Sequence, residues 1–518
     1  MTDSFYDQPG DRTIAVIPFD VSAPGVTAPA ADPSIAIIKR LSASLSAANT
    51  DYSKFDAYYN GEHGMRFASK DHKAAFGKTF SAYAENFCGL VVDAVEERLD
   101  VEGFRFPPTG PGEPGSRGAD ADETDRDAWR IWQDNQLDAE SQVAHTEALI
   151  KGKVYVLVSP FASERIMGRS PLITVEDACE AIVEHAPTGR ERTVGMKRWR
   201  DPDARRTYAT LYFPDRIEKW QTRARAWANQ YDRGITEYAD DWERRLVPDE
   251  EWPLQHSLGV VPLVPLVNRP RLRGEGRSEI ADIVSIQDAI NKLATDELVT
   301  SDAASFPRLW ATGTDIPIDP LTGKSVESFQ AAIDRFVSTP APDAKFGQFP
   351  VADLGGYIEA IAQKIGSVAS ISRTPYHYFM QHSGQPPSGE SLKSSETGLV
   401  RKALRKQRHF GEGWEEVIRL AFKALDDPRG NQLDNEAVWA DPESQTESQH
   451  MDALSKKRSG LKVPLKQLWA DAGYSPQQIE RFAAMLVAET AMLKDTLVAP
   501  VDPAGAAVQE QIQERVGA

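Results

Sequence analysis

Cysteine is nearly absent: Cys88 and Cys179 are the only two in 518 residues. Two thiols cannot build a disulfide framework or a cysteine-rich metal site. Long apolar runs are missing as well. The runs present are short, such as Val154 to Val158, against the roughly 20 apolar residues a membrane helix needs. No membrane partner is therefore expected. The start, Met1-Thr-Asp-Ser-Phe-Tyr-Asp, lacks the basic and apolar stretches of a secretory signal. Positive charge is scarce: 59 Lys+Arg against 77 Asp+Glu give a net charge of −18. A protein that simply coats DNA would be basic, so the balance argues against one. What is present is ordinary globular material, 41% apolar and 26% charged. Wholesale disorder is excluded. At roughly 150 residues per domain, the length suggests about three or four parts. The expectation is a soluble, intracellular, multi-part protein.

The first 33 residues are rich in Pro, Ala and Asp and read as an arm with little fixed structure. Helical spacing begins near Ile35 and runs through Ile38, Leu41 and Leu45. An aromatic helix follows from Asp51 and ends at Asn60-Gly61. Another runs from about Ser81 to Leu99. Residues 106–120, crowded with Pro and Gly, read as a flexible loop. Helix resumes over 128–150. Val154 to Val158 then reads as a buried strand, and strand-like runs continue to about 270. This half is α+β with a mostly antiparallel sheet.

Beyond Arg269-Pro270 the pattern becomes helical. Ser278 reads as an N-cap with Glu279 in the first turn. Ile280, Ile283, Ile286, Ile290 and Leu293 form one apolar stripe on a helix ending near Ser305. Residues 306–350 hold six prolines and read as a non-helical insert. A second stripe follows, comprising Leu354, Ile358, Ile361, Ile365, Val368 and Ile371. After a polar loop, a third long helix starts near Ser388 or Gly389 and continues to about Leu425. A helical tail completes the chain.

Enzyme motifs fail on inspection. Gly323-Lys324-Ser325 resembles the end of a phosphate-binding loop, but Ile318 stands where a glycine is required. Gly274-Glu-Gly-Arg-Ser-Glu begins like a dinucleotide fingerprint, with Glu279 in place of its third glycine. His377 and His382 lack the glutamate of a zinc helix, and His409 sits among cations. We assign no catalytic, cofactor-binding or metal-binding residue and expect no cofactor. Two basic clusters interrupt the acidic background. One spans Arg190 to Arg225, with Trp199, Tyr208, Tyr212 and Trp220 interleaved. The other contains Arg401, Lys402, Arg405 and Lys406. Either could contact phosphates or an acidic neighbouring subunit, or could be a solvated face.

The order of parts carries more information than any motif. The segment Asn268-Arg-Pro-Arg-Leu-Arg-Gly-Glu-Gly-Arg-Ser-Glu-Ile-Ala-Asp-Ile is followed by Ile286-Gln-Asp-Ala-Ile-Asn-Lys-Leu. Arg373-Thr-Pro-Tyr-His-Tyr-Phe and Pro387-Ser-Gly-Glu-Ser-Leu-Lys come next. Upstream stands Asn86-Phe-Cys-Gly-Leu-Val-Val-Asp-Ala-Val-Glu-Glu-Arg-Leu. Together they resemble the portal protein of tailed bacteriophages, of the type found in siphophages of actinobacteria. The likeness spans roughly residues 35 to 490.

That resemblance implies a portal fold with the following layout. Residues 1–33 form an arm, 34–275 an α/β wing, 276–305 a first stem helix and 306–350 a clip. Residues 351–373 form a second stem helix, 374–391 a tunnel loop, 392–430 a long wing helix, 431–498 a helical crown and 499–518 a tail. It implies a homo-oligomeric ring, typically of twelve subunits, at one capsid vertex. Double-stranded DNA would pass through its channel during packaging and ejection. The implied partners are the terminase large subunit, a head-to-tail connector protein, and the major capsid and scaffold proteins. The protein would reside in the virion, and in host cytoplasm during assembly, and would catalyse nothing. Tyr378, Gln381, His382, Gln385 and Ser388 become candidates to face DNA. Ile283, Ile286, Ile290, Ile358, Ile361 and Ile365 become the stem packing, and Arg401, Lys402, Arg405 and Lys406 the basic contacts. The competing readings are a cellular scaffold or adaptor, and a hydrolase.

Overall fold

The computed structural model describes residues 32–63, 85–106, 125–162, 170–187, 189, 191–223, 241–272, 276–305, 309–312, 342–343, 345–348, 353–379, 389–443, 447–474 and 476–497. The expected arm up to residue 31, the loop 107–120, the Gly323-Lys324-Ser325 motif and the tail from 498 lie outside the described residues. So do Gln381, His382, Gln385 and Ser388.

The opening helix α1 (Pro33–Tyr59) joins into one rod what the periodicity suggests as two. Asp32 caps it by accepting from the Ser34 N–H at 3.2 Å, and Pro33 occupies the first turn, where its missing N–H costs nothing. At ~1.5 Å per residue it is about 40 Å long, and it serves two cores. Ile38, Leu41 and Leu45 pack on a large sheet, whereas Tyr58 enters the main core.

Next come α2 (Phe87–Glu96), β1 (Val101–Arg105), α3 (Arg126–Asp134) and α4 (Leu137–Lys151). The single helix expected over 128–150 is two, because Gln136 adopts φ 56°. Asn135 stabilises the break. Its side-chain N–H groups donate to the Ile131 and Pro171 carbonyls, and its oxygen accepts from the Ile173 N–H at 2.8 Å.

Strands β2 (Lys153–Ala162) and β3 (Pro171–Glu176) belong to a three-stranded sheet. Strands β4 (Ala181–His185), β5 (Arg192–Asp201), β6 (Arg206–Tyr212), β7 (Arg216–Thr222) and β8 (Trp242–Arg244) form an antiparallel meander, with β9 (Leu254–Gln255) also on β7. β10 (Leu263–Val267) returns to β2, so the small sheet runs β10-β2-β3. Central β2 buries Val154, Val156 and Val158, as its apolar run requires. Every pairing between described strands is antiparallel, in keeping with an α+β chain.

The second half contains α5 (Val284–Ser305), β11 (Leu309–Thr312), β12 (Lys345–Gln348), α6 (Gly355–Ser372) and α7 (Gly389–Ala424). β11 pairs with β12, Leu309 opposite Gln348, which brings the two ends of the insert together between α5 and α6. The two helices meet where the Thr300 hydroxyl approaches that of Tyr357 at 3.5 Å. α7 is the axle of the main core. Leu399, Ala403, Phe410, Trp414, Val417, Ile418 and Ala421 are fully buried, each of the larger ones contributing about 1.5–3 kcal/mol. Trp132 meets Phe104 at 5.5 Å and Trp414 at 5.0 Å, edge-on to the latter.

β13 (Glu436–Trp439) pairs with β1, and α8 (Glu447–Leu461), α9 (Leu465–Asp471) and α10 (Pro476–Leu497) follow. Within the span 431–498 that the resemblance groups as one unit, β13 thus pairs with a strand from the first part of the chain. Across the wide sequence gap, the β1–β13 ladder satisfies backbone groups on both strands.

Candidate functional site

A buried polar cluster lies where the approach to α5, the end of α6 and the first half of α7 converge. After β10 the chain turns at Arg269 (φ 50°) and comes back across the end of α4. Gly152 and Gly276 touch backbone to backbone there: a Cβ on Gly276 would lie 1.7 Å from the Gly152 carbonyl oxygen. Gly276, which looked like part of a nucleotide fingerprint, is instead required by this crossing. Gly152 N–H closes α4 and its carbonyl accepts from Asn268 N–H at 2.9 Å.

This crossing delivers Glu279 to the interior. Its carboxylate accepts from Lys402 Nζ at 2.8 Å and Lys406 Nζ at 2.7 Å, one lysine on each oxygen. Lys406 also donates to the Asn268 side-chain oxygen, and Lys402 to the Ser372 carbonyl at 2.8 Å. Burial by itself would raise the Glu279 carboxyl, but the two ammonium groups outweigh it and hold it down at about 2. Burial pushes both lysines down, Lys406 to about 8, with Glu279 opposing the shift.

The expectations for this region therefore need correction. Lys402 and Lys406 are interior groups that share one carboxylate, not surface contacts; Arg401 and Arg405 are exposed on the same helix. α5 begins at Val284 rather than Ser278, because Glu279 is drawn into the interior by the lysines. Ser278 Oγ accepts from the Ile280 N–H at 3.3 Å in a turn that precedes the helix. Ile283 is buried in that lead-in.

Tyr378 lies next to this joint, in a single 3-10 turn (Tyr376–Tyr378) after α6. Its hydroxyl accepts from Arg98 at 2.8 Å and donates to Glu396 at 3.2 Å. His377 lies 3.8 Å from Glu396, and Phe379 packs on Phe87. Tyr378 is thus tied to Arg98, just past α2, and to Glu396 on α7 in this conformation, whereas the resemblance nominates it to face DNA. Nothing local in the sequence marks Arg98 or Glu396 as its partners.

Of the two apolar stripes, Ile290 and Ile365 are buried, and Ile286 and Ile361 pack against the main core. Ile358 is 57% exposed and Ile371 50%, two separate uncovered apolar positions roughly 140° apart around α6. Among the described residues of the Arg190 to Arg225 cluster, Arg198 is buried and donates to the Ser42 carbonyl, Arg192 pairs with Glu416 and Arg206 with Glu243, and the Tyr208 ring lies 4.6 Å from Arg245. Buried His145 is held neutral, down at about 3 by burial, and accepts from Trp414 Nε1 at 2.9 Å. Among the described residues no group of His, Cys, Asp and Glu could hold a metal ion, and no helix is long and apolar enough to cross a membrane.

Comparison with known proteins follows the same outline. A family model, phage portal protein of the SPP1 Gp6-like type, matches residues 39–486. The portal protein of Mycobacterium phage D29 is 30% identical over 417 residues, covering 78% of this chain and 79% of that protein. The portal protein of Mycobacterium phage L5 is 29% identical over 417 residues, with 78% of each chain covered.

Proposed function

Because this chain belongs to the SPP1 Gp6-like phage portal protein family, we propose that it forms a homo-oligomeric ring at one capsid vertex, through which DNA enters during packaging and leaves on ejection. The observation that carries this reading is the arrangement α5, paired β11 and β12, α6: two helices bracketing an insert whose ends are pinned together. In the proposed ring, α5 and α6 are the stem and the insert is the clip that meets the terminase and the connector protein. The body from α1 to β10, with α7, is the wing, and α8 to α10 are the crown. Ile358 packs against a neighbouring stem. Gln381, His382, Gln385 and Ser388 line the channel.

Charge supports a conduit. A net −18 per subunit, repeated around a ring, repels phosphates and lets a duplex slide instead of holding it. The chain itself performs no catalysis, and hydrolysis belongs to the packaging motor that docks on it. The test is genetic. A phage whose copy of this gene carries a nonsense mutation should assemble heads that contain no DNA and bear no tails, with both restored by the wild-type gene. DNA-filled heads in the mutant would overturn the reading.

A further inference from the structure

One face of α7 carries Arg401, Arg405 and Arg408, spaced i, i+4 and i+7 and all exposed. That spacing aligns them within about 60° on the helix surface. Among the described residues none of the three makes an ion pair or hydrogen bond. Leu404, 40% exposed, sits in the same stripe. Among the described residues these three arginines have no carboxylate partner, although the subunit carries 77 acidic residues. Arginine around an apolar centre is also the composition of a protein interface rather than of a phosphate track.

A complementary surface exists elsewhere on the chain. Glu96, Glu97, Asp100 and Glu102 cluster at the C-terminal end of α2, where the helix dipole is already negative. Among the described residues none of the four makes an ion pair. Arg98, the cation between them, is turned away to the Ala94 carbonyl and Tyr378. Burial, then repulsion from Asp100, Asp93 and Glu97, raises the Glu96 carboxyl to about 7. The acidic patch meets α7 at Gln407, which donates to the Arg98 carbonyl at 3.0 Å. Gln407 lies roughly 100–160° around the helix from the arginine stripe. The two patches therefore face different ways on one subunit and cannot neutralise each other.

We propose that the α7 arginine stripe of one subunit docks on the α2 acidic patch of the next, a head-to-tail contact between copies of this chain. The proposal rests on the ring reading above. Two unlike patches on different flanks generate a heterologous interface, and such an interface closes into a ring when its rotation permits. The contact also offsets the repulsion between subunits of net −18.

The test uses the purified full chain, with particle mass measured across a concentration series at low and high salt. R401E/R405E and E97K/D100K should each raise the assembly midpoint by about tenfold or more. Combining the two should bring it back toward wild type. Salt should weaken wild-type assembly. Circular dichroism verifies that every variant keeps its helical content. Wild-type rings that persist unchanged in both single reversals, or no rescue in the combination, overturn the proposal. Unchanged rings that retain less DNA overturn it in favour of a phosphate-contact surface. A wild type that stays monomeric at every concentration, also in the presence of capsid and scaffold proteins, overturns the ring reading itself, a different and distinguishable failure.

Discussion

Replacing Glu279 by Gln probes the joint that positions α5, α6 and α7. At contacts of 2.7 and 2.8 Å, and an effective dielectric of about 20, each lysine gains roughly 6 kcal/mol of gross attraction to the carboxylate. Most of that offsets the cost of burying three ions. Removing the carboxylate deletes both attractions and leaves two interior ammonium groups repelling each other. Besides the single amide oxygen that the substitution keeps, their acceptors are the Asn268 side chain and the Ser372 carbonyl. Breaking a buried pair in this way costs about 3–5 kcal/mol. The assay is urea unfolding followed by the fluorescence of buried Trp132 and Trp414. The pH profile adds a second signature. The Glu279 carboxyl lies below its ordinary value in the folded state, so its contribution is complete above pH 4.5 and drains away as pH falls toward about 2. E279Q should lack that acid-side loss. Lys406 is lowered to about 8, so the unfolded chain binds the extra proton between pH 8 and 10.5, and its burial penalty is relieved as pH rises through that window. The combined variant E279L/K402M/K406M should recover most of the lost stability, because an apolar replacement removes the ions together. A loss below about 1 kcal/mol in E279Q, or a combined variant no better than the single one, would refute the reasoning.

Two further outcomes follow from contacts described above. G276A drives a Cβ into the Gly152 carbonyl, so it should cost about 3 kcal/mol or more; thermal unfolding within a degree of wild type would contradict the backbone crossing. Y378F removes the hydroxyl held by Arg98 and Glu396. Amide exchange at Tyr378 and Phe379 should accelerate while global stability falls by no more than about 1–3 kcal/mol, and unchanged exchange would mean that the turn is held by other contacts.

What could be read from the sequence was what depends on near neighbours. Strand β2 follows from Val154 to Val158, because a strand buried on both faces must be apolar throughout. The helical half follows from isoleucine spacing, and α7 from its long amphipathic run. The misreadings share one cause. Lys402 and Lys406 stand among arginines and look like surface charge, yet the carboxylate that neutralises Lys406 lies 127 positions upstream. Ser278 carries a sound local cap signal, but the pull on Glu279 from α7 keeps the segment out of the helix. The β1–β13 ladder is likewise invisible locally, since neither short strand can form alone. Ile358 shows the opposite limit. Its spacing puts it on α6, yet the single subunit leaves it 57% exposed, so the packing expected of it is not made within one subunit.

The most direct test of the central claim is the mass and shape of the purified full chain, imaged as single particles. The account predicts rings with a central hole wide enough for a DNA duplex, whose mass is an integral multiple of 57.2 kDa. A monomer at all concentrations, also in the presence of capsid and scaffold proteins, would contradict it. So would a closed particle with no lumen.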